Sequence, residues 1–551
     1  MQDSNINLLS IYDLKTFVAI DLETTGLDLS SDKIIEISAV RFIDGKKKEV
    51  FSHLLDPGKL ISPFIEDLTG ISNQMVQGKQ EFSDIMNDFS NFIGDSPIVG
   101  HNVKFDIDFI KFHSNNSINF SKNKIYDTYL LSKIVLFSNS EFSLEAITEY
   151  YEFSIDKSHR ATDDSINSGK ILIKLLEDFL QFDVSVVDRI NNLFSGRAIP
   201  NNHAVNSAYQ HIKYKDDNSS IDIEIDSNPG FISYHESSST KYLDFEDIIG
   251  SDGILYQNNK YQFRESQYKM AKHIDETIKN NDISIIEAGT GLGKTYAYLI
   301  PFIKHCKENG LTLVISTYTK TLQDQLFCKD LRDIVKLMNI SLKTAVLKGR
   351  YNYICLDRIQ KLESNSTELV PDSECHDLGA LIAWSYYTKS GDIEECSSFS
   401  QGRYLRLWNL VRSDAQFCIK NCNTNGNCHY SNLTRQLSDA DVIVVNHALL
   451  INDAMDNRSL IPKEHFFVID EAHDLFKAAK DILMSSYDKS FFNDPLKDMS
   501  SVINNIPNDQ LTEANRIIDI IQSTRDSIKS FFNSYLDSKT LDPKGNQNYP
   551  S

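Results

Sequence analysis

The sequence predicts an α/β protein built from two units. Three observations carry that prediction. A short apolar run near the start ends in the acids Asp21 and Glu23. A glycine-rich turn at 288–295 stands between a second apolar run and a helical pattern. An acidic, serine-rich stretch at 215–250 separates the two. A chain of 551 residues also exceeds what a single hydrophobic core organises.

Composition sets outer bounds. Apolar residues make up 41%, with 12 Pro and 22 Gly, which is globular and speaks against long disorder or fibrous repeats. The formal charge is −21, from 56 basic and 77 acidic residues, so there is no global basic footprint of the kind nucleic-acid binders carry. Phosphate contacts are local, however, and a bound divalent ion supplies positive charge that side chains do not. Met1 to Ser10 is polar and does not read as a signal peptide. No apolar run approaches the ~18 residues of a membrane span, so a cytoplasmic protein without membrane contact is expected. In that compartment eight cysteines are not a disulfide framework, and close spacings among them point to metal or cluster ligation.

In the first unit, Phe17–Ile20 and the Ile/Val-rich run Lys33–Phe42 predict neighbouring strands. Helical periodicity follows at Phe82–Ile93, Asp106–Phe112 and Thr162–Leu180. The stretch 215–250 holds nine acidic and two basic residues and predicts linker, with a short edge strand suggested by Ile221, Ile223 and Ile225. In the second unit a helix over Gln267–Asn280 leads to a buried strand over Ile283–Glu287, then the glycine-rich turn, then a helix. That order is the context a phosphate loop requires.

Asp21 and Glu23, two residues apart on a strand, point to the same side. Two carboxylates so placed repel unless a cation lies between them, and hard cations such as Mg²⁺ take oxygen ligands. Downstream, GHNVKFDIDF places Asp106 at a helix start, and SHRATDD offers His159 and Asp164. Four acids can hold two metals that clamp an in-line phosphoryl displacement, and a histidine near neutral pKa can take the proton of the attacking water.

In motif order, D-x-E-T-T-G, N-x-x-F-D and H-x-A-x-x-D, residues 15–180 resemble the DnaQ-like exonucleases of the DEDDh type. The resemblance implies an RNase H-like sheet, two Mg²⁺ or Mn²⁺ ions on Asp21, Glu23, Asp106 and Asp164, His159 as general base, and 3′→5′ removal of nucleotides. Family spacing favours Asp164 over the adjacent Asp163. Asp127, in IYDTYLL, is left outside the site as an acid of structural or supporting character.

The segment IIEAGTGLGKTYAYLI has the form A-x-x-x-x-G-K-T, with Ala288 where many phosphate loops have Gly. Gly289, Gly291 and Gly293 let the backbone curl its N–H groups toward phosphate, with Thr290 among the ATP-binding positions. Lys294 reaches the outer phosphates of ATP and Thr295 binds its Mg²⁺. HFFVIDEAHDL ends in Asp470-Glu471-Ala472-His473, where Asp470 would hold Mg²⁺ and Glu471 orient the attacking water. The DEAH tetrad resembles superfamily 2 helicases. Arg264 and Gln267 resemble an adenine-sensing motif, Ser316–Phe327 the strand-contacting motif Ia, and Val442–Leu450 the segment preceding the DEAH box in DinG and XPD helicases. A plain helix surface is the alternative for Arg264 and Gln267.

Cys418, Cys422 and Cys428 have C-x₃-C-x₅-C spacing, with Cys355 upstream. Thiolates so arranged can hold a [4Fe–4S] cluster, and the position resembles the iron–sulfur insertion of DinG and XPD. Zinc is the rival, with His429 replacing Cys355 as fourth ligand; unligated thiols are the third reading, and some exonuclease-fused DinG relatives lack the cluster. Cys306, Cys328, Cys375 and Cys396 have no such spacing.

A superfamily 2 motor uses two RecA-like lobes, and no second-lobe arginine motif follows in the 78 residues after His473. The expectation is a helicase lobe truncated before its partner, with slow or absent ATP hydrolysis unless a second polypeptide completes it. The resulting division is a nuclease at 13–182, a linker at 183–252, a RecA-like lobe at 253–480 with a cysteine-rich insertion at about 350–430, and the start of a helical arch at 481–551. The expected activity is a Mg²⁺-dependent 3′→5′ exonuclease on single-stranded DNA or RNA. The alternatives are 5′→3′ unwinding completed by a second chain, or a nucleotide-regulated module that grips single strands and positions ends for the nuclease.

Overall fold

A computed structural model describes residues 8–153, 160–214, 230–234, 245–257, 261–289, 291–399, 405–418, 427–455, 460–462, 465–484, 511–538 and the single positions 492, 496 and 499. Its two sheets make the fold α/β. The first contains β1 (Thr16–Thr24), β2 (Ile34–Ile43), β3 (Lys46–Leu54), β4 (Ile98–Gly100) and β5 (Ile125–Asp127) in the order β3-β2-β1-β4-β5. The first three strands are antiparallel, β4 runs parallel to β1, and β5 runs parallel to β4. This is an RNase H-like arrangement.

Strand alternation divides the core of this unit in two. Val18 and Ile20 face Phe82, Phe89 and Phe109 from helices Phe82–Ile93 and Lys104–His113. Phe17 and Ala19 face Leu172, Leu175 and Phe179 from helix Ala161–Phe179. That helix lies close to the sheet at Gly169, where a Cβ would stand 2.5 Å from the Phe42 ring.

The second sheet has the order β10-β7-β9-β8-β6, from β6 (Phe231–Tyr234), β7 (Thr312–Thr317), β8 (Leu342–Val346), β9 (Val442–Asn446) and β10 (His465–Ile469). Its pairs are parallel except for β6 against β8. β7 and β9 are buried on both faces, as parallel sheets require.

Two expectations are corrected here. Ile283–Glu287 is not a strand, and Ile283 and Ile285 are each 97% exposed. β10 is the edge of its sheet, and its Phe467 and Ile469 are 48% and 38% exposed. An additional strand there would be ordered at about 1–2 kcal/mol per residue without a covering layer to bury its isoleucines. The second correction concerns 183–252, read as linker. Helices Val184–Phe194 and Asn202–Ile212 bury Val187, Ile190, Phe194, Ala204 and Val205 at 0% exposure. The alternation at Ile221–Ile225 lies outside the described residues.

Those two helices belong to a core that crosses the expected boundary between units. One continuous apolar cluster joins Tyr12, Phe17 and Phe194 with Leu378, Trp384 and Trp408 from the insertion. Lys133 and Asp377, each 4% exposed, form an ion pair inside it. Arg189 pairs with Glu363 at 2.6 Å, and the Tyr387 hydroxyl accepts from the Asp183 N–H at 2.8 Å. The segment Cys355–Val411 thus packs on the nuclease unit as one body.

Beyond the DEAH box, helices Leu475–Leu483 and Leu511–Ser538 fit the helical pattern of the tail. Among the described residues, no helix is long and apolar enough to cross a membrane.

Candidate active sites

β1 carries Asp21 and Glu23 on one side of the sheet, and the first turn of helix Ala161–Phe179 brings Asp164 to them. One carboxylate oxygen from each of the three lies within 4.8 Å of the others. Among the described residues, no other group of three acids, histidines or cysteines converges in this way. Asp106, 4% exposed, sits in the first turn of helix Lys104–His113, close enough to raise the pKa of Asp21 electrostatically. His159 lies outside the described residues.

The field in this site opposes ionisation. Burial, followed by the charges of Asp106, Asp164 and Glu23, holds the Asp21 carboxyl well above its ordinary range. Burial, then Asp164 and Glu36, pushes Glu23 up to about 8, while Arg160 pulls it back. Asp106 is raised by burial, with main-chain N–H groups of Asp106 and Leu22 offsetting part of the effect. Four carboxylates held together against their own repulsion match the donor set of a divalent cation, which would restore their charged forms. The residues therefore fit the metal that the fold implies.

One supporting acid, Glu36, escaped the sequence reading. Glu36 is 1% exposed and lies directly across from Glu23 in the β1–β2 register. It receives Arg160 through Nε at 3.0 Å and Nη2 at 2.7 Å, and its Oε2 also accepts the N–H of Ala161. The start of the helix bearing Asp164 is thereby tied to the strand next to Asp21. The available signal was an acid embedded in the apolar run Ile34–Val40. Asp127 caps helix Thr128–Val135, accepting from the Leu130 N–H at 3.0 Å and from the Asn102 N–H at 3.2 Å. It supports the loop before Asp106 and leaves its Oδ2 buried without a partner.

The second site forms where the glycine-rich turn meets the end of β10. Gly291 and Gly293 have φ of 76° and 84°, a conformation that glycine adopts without strain. Gln267, 7% exposed, donates from Nε2 to the Gly293 carbonyl at 2.9 Å, and a Cβ on Gly293 would stand 2.3 Å from that nitrogen. Arg264 donates to the Gly291 carbonyl. Both upstream residues therefore grip the turn, unlike a plain helix surface. Lys294 reaches across 177 positions of sequence to Glu471 at 3.1 Å. Tyr298 donates to Asp470 at 3.4 Å, and burial followed by Glu471 raises the Asp470 carboxyl. Thr295 is the second residue of helix Lys294–Asn309, and Gly289 lies in the approach to it. Thr290 lies outside the described residues. His447, fully buried behind the DEAH box, shares a 2.7 Å hydrogen bond between Nδ1 and the Ser316 hydroxyl.

The cysteine expectation fares differently. Cys355 and Cys428 are half-buried and Cys418 is exposed, and their sulfurs do not meet within the 4.8 Å that ligands of one shared ion would need. Cys422 lies outside the described residues. His429 is turned toward the Lys389 carbonyl, 3.3 Å from Nδ1.

Comparison with known proteins finds matches over both regions. The family model described as Exonuclease covers residues 18–172, the DEAD/DEAH box helicase model 265–368, and the DEAD_2 model 317–490. The 3'-5' exonuclease DinG of Bacillus subtilis (strain 168) is 28% identical over 489 residues, 85% of this chain and 50% of that protein. The protein of the same name from Staphylococcus haemolyticus is 27% identical over 482 residues, 84% of this chain and 50% of its own. This chain thus spans about half the length of the curated relatives it matches. Among solved structures, Exonuclease X in complex with 5' overhanging duplex DNA is 26% identical, with a TM-score of 0.24 and coverage of 29% of this chain and 91% of that one. The chain is thus similar to DinG over 84–85% of its length, with a region matching the Exonuclease model followed by regions matching the DEAD/DEAH box helicase and DEAD_2 models.

Proposed function

We propose that this chain is a Mg²⁺- or Mn²⁺-dependent 3′→5′ exonuclease on single-stranded DNA, with RNA as the alternative substrate, carrying an ATP-binding helicase lobe. The convergence of Asp21, Glu23 and Asp164 within 4.8 Å carries this reading. Asp21, Glu23, Asp106 and Asp164 would hold two divalent ions, which when bound stabilise the attacking and leaving oxygens of the phosphodiester. Glu36 and Arg160 hold the helix of Asp164 against β1, and Asp127 holds the loop before Asp106. His159 is assigned the proton of the attacking water through the family resemblance. The test uses a 5′-labelled single strand with Mg²⁺. A descending ladder of products supports the reading, and no shortening with either metal opposes it.

For the second site we propose ATP on Gly289–Thr295, with Lys294 on the outer phosphates, Asp470 holding the nucleotide's Mg²⁺ and Glu471 orienting water. The exposed Phe467 and Ile469 on β10 favour completion of this lobe by further polypeptide. Strong DNA-stimulated ATP turnover by this chain alone would oppose that second reading. If this lobe instead only grips single strands, nucleotide would change the nuclease rate without turnover. Assignment of Cys355, Cys418, Cys422 and Cys428 to an iron–sulfur cluster, with zinc as rival, rests on their sequence spacing.

A further inference from the structure

A cavity of about 880 Å³ lies away from both sites, its lining including none of the residues assigned to either. One wall is the helix Lys104–His113, through Lys104, Ile107, Asp108 and Lys111. These positions follow i, i+3, i+4, i+7 and so share one helix face. Asp106 falls about 200° around the helix from Lys104, at 100° per residue, so the groove is on the reverse side from the metal-binding acids. The opposite wall is the turn from Ser195 to His203. Arg197 in that turn is anchored by the insertion, donating to the Val370 carbonyl at 2.9 Å, the Ser366 carbonyl at 2.6 Å and Asp372 at 2.8 Å.

The lining reverses the charge of the chain. Lys104, Lys111, Lys124 and Arg197 share the lining with one carboxylate, Asp108, while Asp13 and Asp372 outside it pair with Lys124 and Arg197, in a protein with 77 acidic and 56 basic residues. The existing ion pairs are loose. Lys104–Asp108 has side-chain exposures of 76% and 37%, and Lys124–Asp13 has 37% and 82%. Exposed pairs of this kind are worth about 0–1 kcal/mol and yield readily to phosphate. Lys111 lies 5.9 Å from the Phe120 ring. Asn123 in the lining donates from Nδ2 to the Gly94 and Ser96 carbonyls, which fixes that wall of the groove. No large exposed apolar side chain lines the groove to anchor a protein partner.

From this we infer a second nucleic-acid contact: the groove takes the phosphate backbone of the substrate strand at a distance from its 3′ end. It rests on the nuclease reading and adds to it a length preference, since only strands long enough to reach around the helix Lys104–His113 gain the contact. Arg197, which lines the groove, is itself held in place by the insertion.

The test is the charge-reversal pair Lys111→Glu and Lys124→Glu in the full chain. Binding of a 30-nucleotide single strand is measured by fluorescence anisotropy in Ca²⁺ at several salt concentrations. Hydrolysis of thymidine 5′-monophosphate p-nitrophenyl ester is measured in Mn²⁺. Expected are an affinity for the long strand lower by at least about tenfold, a shallower salt slope by about one per lost phosphate contact, and ester hydrolysis within about twofold of the parent. Unchanged long-strand affinity overturns the inference, and so does an equal loss of ester hydrolysis, which would place the effect in the active site. A parent chain that binds the strand but hydrolyses neither substrate would instead count against the nuclease reading.

Discussion

Arg160 clasps Glu36 through two nitrogens, and that clasp joins the helix of Asp164 to the strand beside Asp21. Glu36 binds no metal in this arrangement. It positions a residue that would. Supporting partners of this kind typically change metal affinity or activity 10–100-fold when removed. Glu36→Gln keeps the shape and removes the charge. The expected result is an Mg²⁺ concentration for half-maximal nuclease rate raised about tenfold, with most of the maximal rate recovered at saturating metal.

The raised carboxyls give stability a definite pH dependence. Glu23 in the metal-free protein keeps its proton up to about 8, whereas in the unfolded chain it ionises in the ordinary carboxyl range. Between those values the folded state binds more protons than the unfolded state, so stability falls as pH rises. Divalent metal replaces the proton and reverses this. Thermal unfolding in EDTA should show Tm dropping from pH 5 to pH 8, and the increase on adding Mn²⁺ should be larger at pH 8 than at pH 5. A metal-induced shift independent of pH would contradict it.

The pair Lys133–Asp377 tests whether nuclease and insertion form one core. Both are 4% exposed, so Lys133→Met removes the cation from beside a buried carboxylate and should destabilise by about 3–5 kcal/mol. Replacing both partners with apolar residues should recover most of that loss. The readout is urea unfolding of each variant, followed by nuclease rate. Two independent units would unfold separately, with only one transition moved.

Lys294→Ala should weaken binding of a fluorescent ATP analogue at least about tenfold, since the ammonium supplies the main charge on the phosphates. The carboxylate site is untouched, so ester hydrolysis in Mn²⁺ should stay unchanged.

For the cysteines, anaerobically prepared protein should contain iron and show broad absorbance near 400 nm that Cys422→Ser removes, in the manner of thiolate-held clusters. Zinc without iron would favour the rival, and neither metal would leave ordinary thiols.

What could be read from sequence was what is local. Asp21 and Glu23 declared themselves through a spacing of two on a strand, and the Gly-rich turn through its flanking elements. Glu36 did not, because its meaning depends on a register that pairs it with Glu23 and on Arg160, 124 positions away. The helices at 184–212 were obscured by polar stretches around them, and their purpose is a core completed by Trp384 and Trp408 from far downstream. Ile283–Glu287 has a strand's composition but lacks the cover that would make it one. Gln267 was legible as part of an adenine-sensing motif, but its grip on the Gly293 carbonyl depends on the folded turn.

The central claim is nucleic-acid hydrolysis at Asp21, Glu23, Asp106 and Asp164. Its most direct test is Asp21→Ala beside the parent chain, on a 5′-labelled single strand with Mg²⁺, after both have been shown to share the same unfolding profile in EDTA. The parent should shorten the strand stepwise from its 3′ end, and the variant should leave it intact. Equal shortening by the variant would contradict the account.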